Sequence, residues 1–87
     1  MTARVDLLTV TSDRSEGPGW VLTAWEDNGW RCATLTVARG TAWREQACWR
    51  RRPNYNLCRD IAGVLNDHDD RVNITAMTDE LRDRTGW

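Results

Sequence analysis

The sequence predicts an α+β fold in which two to three helices pack on one face of a small antiparallel sheet. Residues 20–27 and 30–37 alternate between apolar and polar side chains, and Asn28-Gly29 between them is the strongest short-range signal of a β-hairpin. Residues 57–67 instead repeat apolar side chains at helical spacing. With a further strand on either side of these segments, the predicted order is βββααβα, in a single domain that spans the 87-residue chain.

The Asn-Gly turn sets the register of the hairpin. A type I′ turn places both central residues at positive φ, so Asp27 faces Trp30 and the pairing runs outward from there. Glu26 then faces Arg31 as a salt-bridging pair where the buried face meets water. The same face carries six side chains that we expect to form the core: Trp20, Leu22, Ala24, Ala33, Leu35 and Val37.

Two segments flank the hairpin. Residues 5–12 are apolar and β-branched enough for the first strand, and the turn formers of residues 13–19 predict a loop. Residues 41–52 predict a helix that Thr41 caps and Pro53 stops. A strand is the alternative for this segment, because four of its side chains also alternate: Trp43, Glu45, Ala47 and Trp49.

Three elements are expected in the C-terminal third. The apolar stripe of residues 57–67 predicts a helix with Asn54 or Asn56 as its N-cap. Residues 71–77 alternate and predict a strand. Thr78, which is followed by two acids, predicts the start of the last helix.

Composition narrows the function classes. The chain is 40% hydrophobic and 29% charged, which is typical of a globular domain. The N-terminal residues lack the apolar run of a signal peptide, and no stretch approaches the roughly 18 apolar residues of a membrane span. We therefore expect a cytoplasmic protein without a membrane partner.

Cysteine and histidine spacing argues against a metal site. Cys32, Cys48 and Cys58 form no close pair, whereas a structural zinc site needs thiolates a few residues apart. His68 lies in the acidic run of residues 67–70, which is typical of a solvated turn. The sequence also lacks a nucleophile-base arrangement and a glycine-rich phosphate loop. It predicts no metal, no cofactor and no enzymatic activity.

Charge divides the chain into three parts, although the net charge is −1. Residues 1–30 carry two arginines against five acids, residues 31–59 seven arginines against one acid, and residues 60–87 three arginines against seven acids. Arginines neutralise phosphates and aromatic rings stack on bases, so the middle part is a candidate nucleic-acid-binding patch. Its residues are Arg44, Trp49, Arg50, Arg51, Arg52, Tyr55 and Arg59.

Surplus aromatic side chains and clustered acids form a second candidate site, for a protein partner or a second copy of the chain. Trp25, Trp30 and Trp87 have no evident core position, and exposed tryptophans are typical of interfaces. Folding back of Trp87 onto the sheet is the alternative for that residue. The acids that would engage a basic partner are Asp67, Asp69, Asp70, Asp79, Glu80 and Asp83.

Three carboxylates and three short motifs resemble the front half of the ribonuclease H fold. The carboxylates are Asp13, Glu45 and Asp79, and the motifs are "GPGW" at 17–20, "TAWRE" at 41–45 and "NITAMTDEL" at 73–81. The resemblance implies carboxylates that hold two magnesium ions. The fourth carboxylate and the last strand and helix of that fold are missing, so it implies at most a degenerate ribonuclease H-like domain.

Size and architecture resemble the anti-CRISPR proteins of phages and mobile elements. The chain is small, slightly acidic and free of lysine, and it predicts a three-stranded meander. This resemblance implies a non-enzymatic inhibitor that occludes a nucleic-acid-processing effector in the cytoplasm of a bacterial host. A protein-binding module of this kind is the first functional hypothesis, and the nucleic-acid-binding patch is the alternative.

Overall fold

Four antiparallel strands in sequence order form one sheet, and two helices follow them. The computed structural model describes residues 4–12 and 19–87. Its elements are β1 (Arg4–Thr11), β2 (Trp20–Asp27), β3 (Trp30–Arg39), β4 (Ala42–Arg51), α1 (Leu57–His68) and α2 (Ile74–Thr85). The α+β class and the antiparallel sheet are confirmed. The predicted order βββααβα is corrected to ββββαα.

The β2–β3 hairpin has the predicted register throughout. Asn28 and Gly29 have φ angles of 50° and 81°, so both central residues of the turn adopt the left-handed conformation that a type I′ turn requires. Trp20 pairs with Val37 at the far end. All six side chains predicted for the inner face are buried. Local turn chemistry therefore decided the pairing of the two central strands.

The predicted helix over residues 41–52 is wrong, and the alternative strand is correct. A tight turn at Gly40, whose φ is 63°, returns the chain so that Ala42 pairs with Arg39 and β4 completes the sheet. A β-bulge at Gln46 shifts the alternation, so Trp49 lies in the core at 6% exposure and Trp43 lies on the opposite face at 42% exposure. Pairing with β3 satisfies the backbone hydrogen-bonding groups of this segment. This pairing outweighs the helix that the spacing of its apolar side chains indicates.

The predicted strand over residues 71–77 is also wrong. Asn73 caps α2 instead, with its side chain accepting a hydrogen bond from the Ala76 N–H at 3.0 Å. Thr78 therefore lies inside the helix and not at its start. Gly86, at φ 77°, ends the helix in the left-handed conformation. Leu81 is buried in the core. The helical spacing of the apolar side chains turns this residue towards the sheet, which the predicted short strand would not have done.

Helix α1 matches its prediction, with Asn56 as its N-cap. Both helices pack on the inner face of the sheet, α1 over β3 and β4 and α2 against β1. Their contribution to the core is Leu57, Cys58, Ile61, Leu65 and Leu81. The molecule is thus a two-layer slab of 38 × 29 × 16 Å, with helices on one side of the sheet.

Asp69 joins the two layers through its carboxylate. The side chain is 5% exposed and accepts a hydrogen bond from Trp20 Nε1 at 3.2 Å. Arg71 donates to both carboxylate oxygens at 2.9 Å, and these bonds hold the pKa of Asp69 far below its usual value against the opposing effect of burial. The residue is therefore a buried structural carboxylate, which corrects its reading as part of a solvated acidic turn.

Both outer strands contain a β-bulge. In β1 the pairing steps from Asp6 to Leu8, and in β4 it steps from Glu45 to Ala47. The extra residues are Leu7 and Gln46. Each bulge interrupts the hydrogen-bond ladder within an edge strand.

Candidate nucleic-acid interface

The outer face of the sheet is covered by neither helix of the described chain. We call this surface the open face. It carries the residues of the central strands whose side chains alternate with the core positions: Val21, Thr23, Trp25, Asp27, Trp30, Cys32, Thr34 and Thr36. Because the register is regular, these side chains stand in two adjacent rows that end at the hairpin turn.

Two tryptophans lie next to each other on the open face. Trp25 pairs with Cys32 and Asp27 pairs with Trp30, so the two indoles are diagonal neighbours on the central strands. Both are only partly buried. They therefore form an aromatic patch at the turn end of the sheet.

Three arginines, one from β1 and two from the end of β4, lie over these rings. The guanidinium carbon of Arg4 is 4.2 Å from the Trp25 ring centre, and those of Arg52 and Arg50 are 3.8 and 4.8 Å from the Trp30 ring centre. These distances are within the range of cation–π attraction. We call Arg4, Trp25, Trp30, Arg50 and Arg52 the cation–aromatic cluster.

The arginines of this cluster are held to different degrees. Arg50 belongs to β4 and its Nη1 lies 3.7 Å from Asp27 Oδ2. Arg4 forms an exposed ion pair with Asp6 at 2.9 Å. Arg52 follows the last residue of β4, is exposed, and rests against the Trp30 ring. Arg52 is thus the least restrained of the three.

A further arginine–aromatic contact lies where β4 leads into α1. The guanidinium carbon of Arg51 is 5.3 Å from the Tyr55 ring centre, and the Tyr55 hydroxyl donates to Asp60 at 2.7 Å. Arg51 pairs with Arg31, on the inner face of the register, so the arginines at the end of β4 point to both sides of the sheet. The positive charge therefore wraps around this end of the slab.

The structure assembles part of the predicted nucleic-acid patch. Arg50, Arg51, Arg52 and Tyr55 come together at the end of β4, as described. Trp49 is buried in the core and is not available for stacking. Arg44 pairs with Val37 towards the opposite end of β4, and Arg59 lies on α1.

Three members of the cluster were missed or misassigned by sequence reasoning. Arg4 carried no signal in the sequence, because only the β1–β2 pairing brings it to Trp25. Trp25 and Trp30 were assigned to the protein-binding set. The position of Trp30 beside Arg50 follows only from the β3–β4 pairing. A prediction of residues 42–51 as a strand paired with β3 would have placed Arg50 next to Trp30.

The predicted protein-binding residues fall on two sides of the molecule. Trp25 and Trp30 lie on the open face, whereas the exposed acids lie on the helix layer: Asp67, Asp70, Asp79, Glu80 and Asp83. Asp69 is buried, as described. The set therefore does not form one continuous surface.

Trp87 folds back onto the inner side of the sheet. Its Nε1 donates to Glu26 Oε1 at 3.0 Å, and the Arg31 guanidinium lies 5.7 Å from its ring centre. The Glu26 carboxylate is thus bonded to an indole and not to Arg31, which was its predicted partner. This arrangement closes the turn end of the core.

A shallow groove of about 240 Å³ lies between the helices. It is lined by Arg59, Ile74, Thr75, Thr78, Asp79 and Arg82. The Asn56 side chain accepts a hydrogen bond from Arg82 at 3.3 Å and fixes that guanidinium beside α1. Arginines and a carboxylate together leave the groove with little net charge.

The two described carboxylates of the ribonuclease H resemblance, Glu45 and Asp79, are not brought together. Glu45 lies on β4 and not on a helix, and its partner Thr36 places it on the open face. Asp79 lies within α2, in the opposite layer. Asp13 and most of the loop predicted at 13–19 lie outside the described residues. Within the described part of the chain, no three metal-binding side chains are grouped.

Two of the three described thiols are structural in character. Cys32 and Cys58 are buried and Cys48 is exposed, and all three are unpaired. Burial raises the pKa of the Cys32 and Cys58 thiols, so both are protonated at neutral pH and are poor nucleophiles.

Neither described helix has the length and apolar character needed to cross a membrane. Comparison of the chain with protein-family models, with curated proteins and with solved structures found no match.

Proposed function

We propose that this protein is a non-enzymatic nucleic-acid-binding domain whose contact surface is the cation–aromatic cluster. The observation that carries the proposal is the position of Trp25 and Trp30, which are diagonal neighbours on the central strands of a face that no described helix covers. Aromatic rings on a sheet are stacking platforms for bases, and flanking arginines neutralise phosphates. The cluster supplies both kinds of group in one place.

The charge distribution supports the same surface. The open face also carries exposed carboxylates, at Asp6 and Glu45. Around the Trp30 ring, two arginines of the cluster stand against one partly buried carboxylate, Asp27. Most of the exposed acids lie on the helix layer, on the other side of the slab. A polyanion that approaches the molecule is therefore attracted to the turn end of the open face, where arginines outnumber carboxylates, and is repelled by the helices. The small net charge of the whole chain conceals this separation.

Binding is expected to weaken with salt in proportion to the phosphates that the cluster neutralises. Three contacts to a single strand predict a slope of about −2 in a plot of log affinity against log salt concentration. Fluorescence anisotropy with a labelled oligothymidylate of about 20 nucleotides measures this slope. Replacing Arg50 and Arg52 together with alanine should reduce its magnitude by about 1.4.

The matched control for that experiment replaces Arg39 and Arg84 with alanine. Both are exposed arginines outside the cluster, and Arg84 pairs with Glu80 on the helix layer. The control changes the net charge by the same amount and should leave the slope nearly unchanged. No binding by the intact protein, or an equal response in both double variants, would contradict the proposal.

A second candidate function rests on the acidic helix layer. Asp79, Glu80 and Asp83 are exposed on α2, and they could occlude a basic groove on a protein partner, as the anti-CRISPR resemblance implies. The triple change Asp79→Asn, Glu80→Gln, Asp83→Asn should then abolish capture of a partner from nuclease-treated bacterial extract, while the Arg50 and Arg52 double variant retains it. The opposite pattern would exclude this function.

A further inference from the structure

We infer that the cation–aromatic cluster selects single-stranded nucleic acid, because an unpaired base takes the place of the Arg52 guanidinium on the Trp30 ring. This inference rests on the proposed function. In the free protein, Arg52 lies 3.8 Å from the ring centre and occupies the position that a stacked base needs. Binding is therefore an exchange of one stacked group for another.

The backbone around Arg52 favours this exchange. Arg52 lies between the last residue of β4 and Pro53, outside the pairing with β3. Its side chain can leave the ring without breaking the sheet. Arg50 cannot leave as readily, because its guanidinium lies 3.7 Å from the Asp27 carboxylate. Of the two arginines on Trp30, Arg52 is thus the one that a base displaces.

The exchange is favourable because the base gains a contact with the Trp30 ring and the guanidinium keeps a charged partner. A base stacked on an aromatic side chain binds more strongly than a guanidinium at an exposed site. The released guanidinium remains on the same end of the molecule, where the phosphate next to the stacked base is a charged acceptor. Because the exposed Arg52 side chain also reaches a phosphate of a strand that lacks bases, only its ring contact is lost when a base stacks.

Strand selection follows from the same geometry. In a duplex, base faces are already stacked on their neighbours, and only edges are presented in the grooves. A duplex can satisfy the arginines but cannot displace Arg52 from the Trp30 ring. The cluster is therefore expected to bind single strands more tightly than duplexes of equal charge per contact.

The test compares three labelled probes of about 12 nucleotides at one salt concentration: oligothymidylate, the same strand with abasic sites, and a duplex. The ratio of affinities for the base-bearing and abasic strands isolates stacking from charge. We expect a ratio of about 10 or more for the intact protein. Duplex binding should be close to that of the abasic strand.

The deciding variant is Arg52→Ala. It should bind both single strands more weakly, since a phosphate contact is lost, but the ratio between them should rise by about two- to fivefold because the base no longer competes with a guanidinium. The control Arg51→Ala removes a guanidinium from the Tyr55 ring. It should lower both affinities and leave the ratio unchanged.

The outcomes separate this inference from the proposed function. If the intact protein binds strands but the ratio in Arg52→Ala stays the same or falls, the exchange is wrong and nucleic-acid binding stands. Equal affinity for duplex and oligothymidylate would overturn strand selection alone. Failure of the intact protein to bind any of the three probes would overturn both.

Discussion

Replacing Asp69 with alanine is expected to lower the free energy of unfolding by about 3 kcal/mol, which is a large part of the stability of a domain of this size. The change removes the acceptor of the Trp20 indole, a bond that ties the loop between the helices to the sheet, and the acceptor of the Arg71 guanidinium within that loop. Urea denaturation followed by tryptophan fluorescence at pH 7 measures the effect. Asp67→Ala, two residues away and exposed, is the control and should change stability by less than about 0.5 kcal/mol.

The same carboxylate predicts a dependence of stability on pH. Its pKa is lowered in the folded protein, so its stabilising effect is complete above the pKa of about 3.9 in the unfolded chain and declines as the pH falls below that value. The difference in stability between wild type and Asp69→Asn should therefore be larger at pH 7 than at pH 3. A difference that does not change between these pH values would show that Asp69 titrates normally in the folded state.

Trp30→Ala is expected to have the largest effect on nucleic-acid binding. Loss of one stacking platform costs about 1–3 kcal/mol, so affinity for single-stranded oligothymidylate should fall by roughly 5- to 150-fold. Affinity for the abasic strand should change little. Anisotropy titrations with both probes give the two values.

Two further variants make the Trp30 result specific. Trp30→Phe keeps an aromatic ring and should retain most of the preference for the base-bearing strand. Trp43→Ala removes an exposed tryptophan towards the opposite end of the sheet and should not affect it. Equal losses in Trp43→Ala and Trp30→Ala would argue against a localised site, and circular dichroism checks that each variant is folded.

The parts of the fold that local chemistry decides were predictable. The turn residues Asn28 and Gly29 specify their own conformation, and with it the register of every pair in the central hairpin. Helix α1 has both a cap and a complete apolar stripe. In these two places, residues a few positions apart determine the structure, so no knowledge of distant contacts was needed.

The wrong predictions concern segments whose structure depends on contacts with residues distant in the sequence. Residues 42–51 satisfy a helical and a strand pattern at once, and only pairing with β3 selects the strand. Asp69 is embedded among acids that are indeed exposed, and its burial depends on Trp20, 49 residues earlier in the chain. The candidate site was found in part for the same reason: its arginines at 50–52 are adjacent in sequence, whereas Arg4 reaches it only through the sheet.

The bulges at Leu7 and Gln46 have a consequence for how these molecules meet one another at high concentration. A flat edge strand exposes unpaired backbone N–H and C=O groups, with which a strand of a second chain can form hydrogen bonds. Repetition of this pairing builds fibrils. Here the bulge in each edge strand puts an incoming strand out of register after a few residues. Charged side chains at Arg44 and Glu45 add a cost of desolvation at one border. The fold can therefore leave a tryptophan-bearing surface uncovered while both of its borders resist polymer growth.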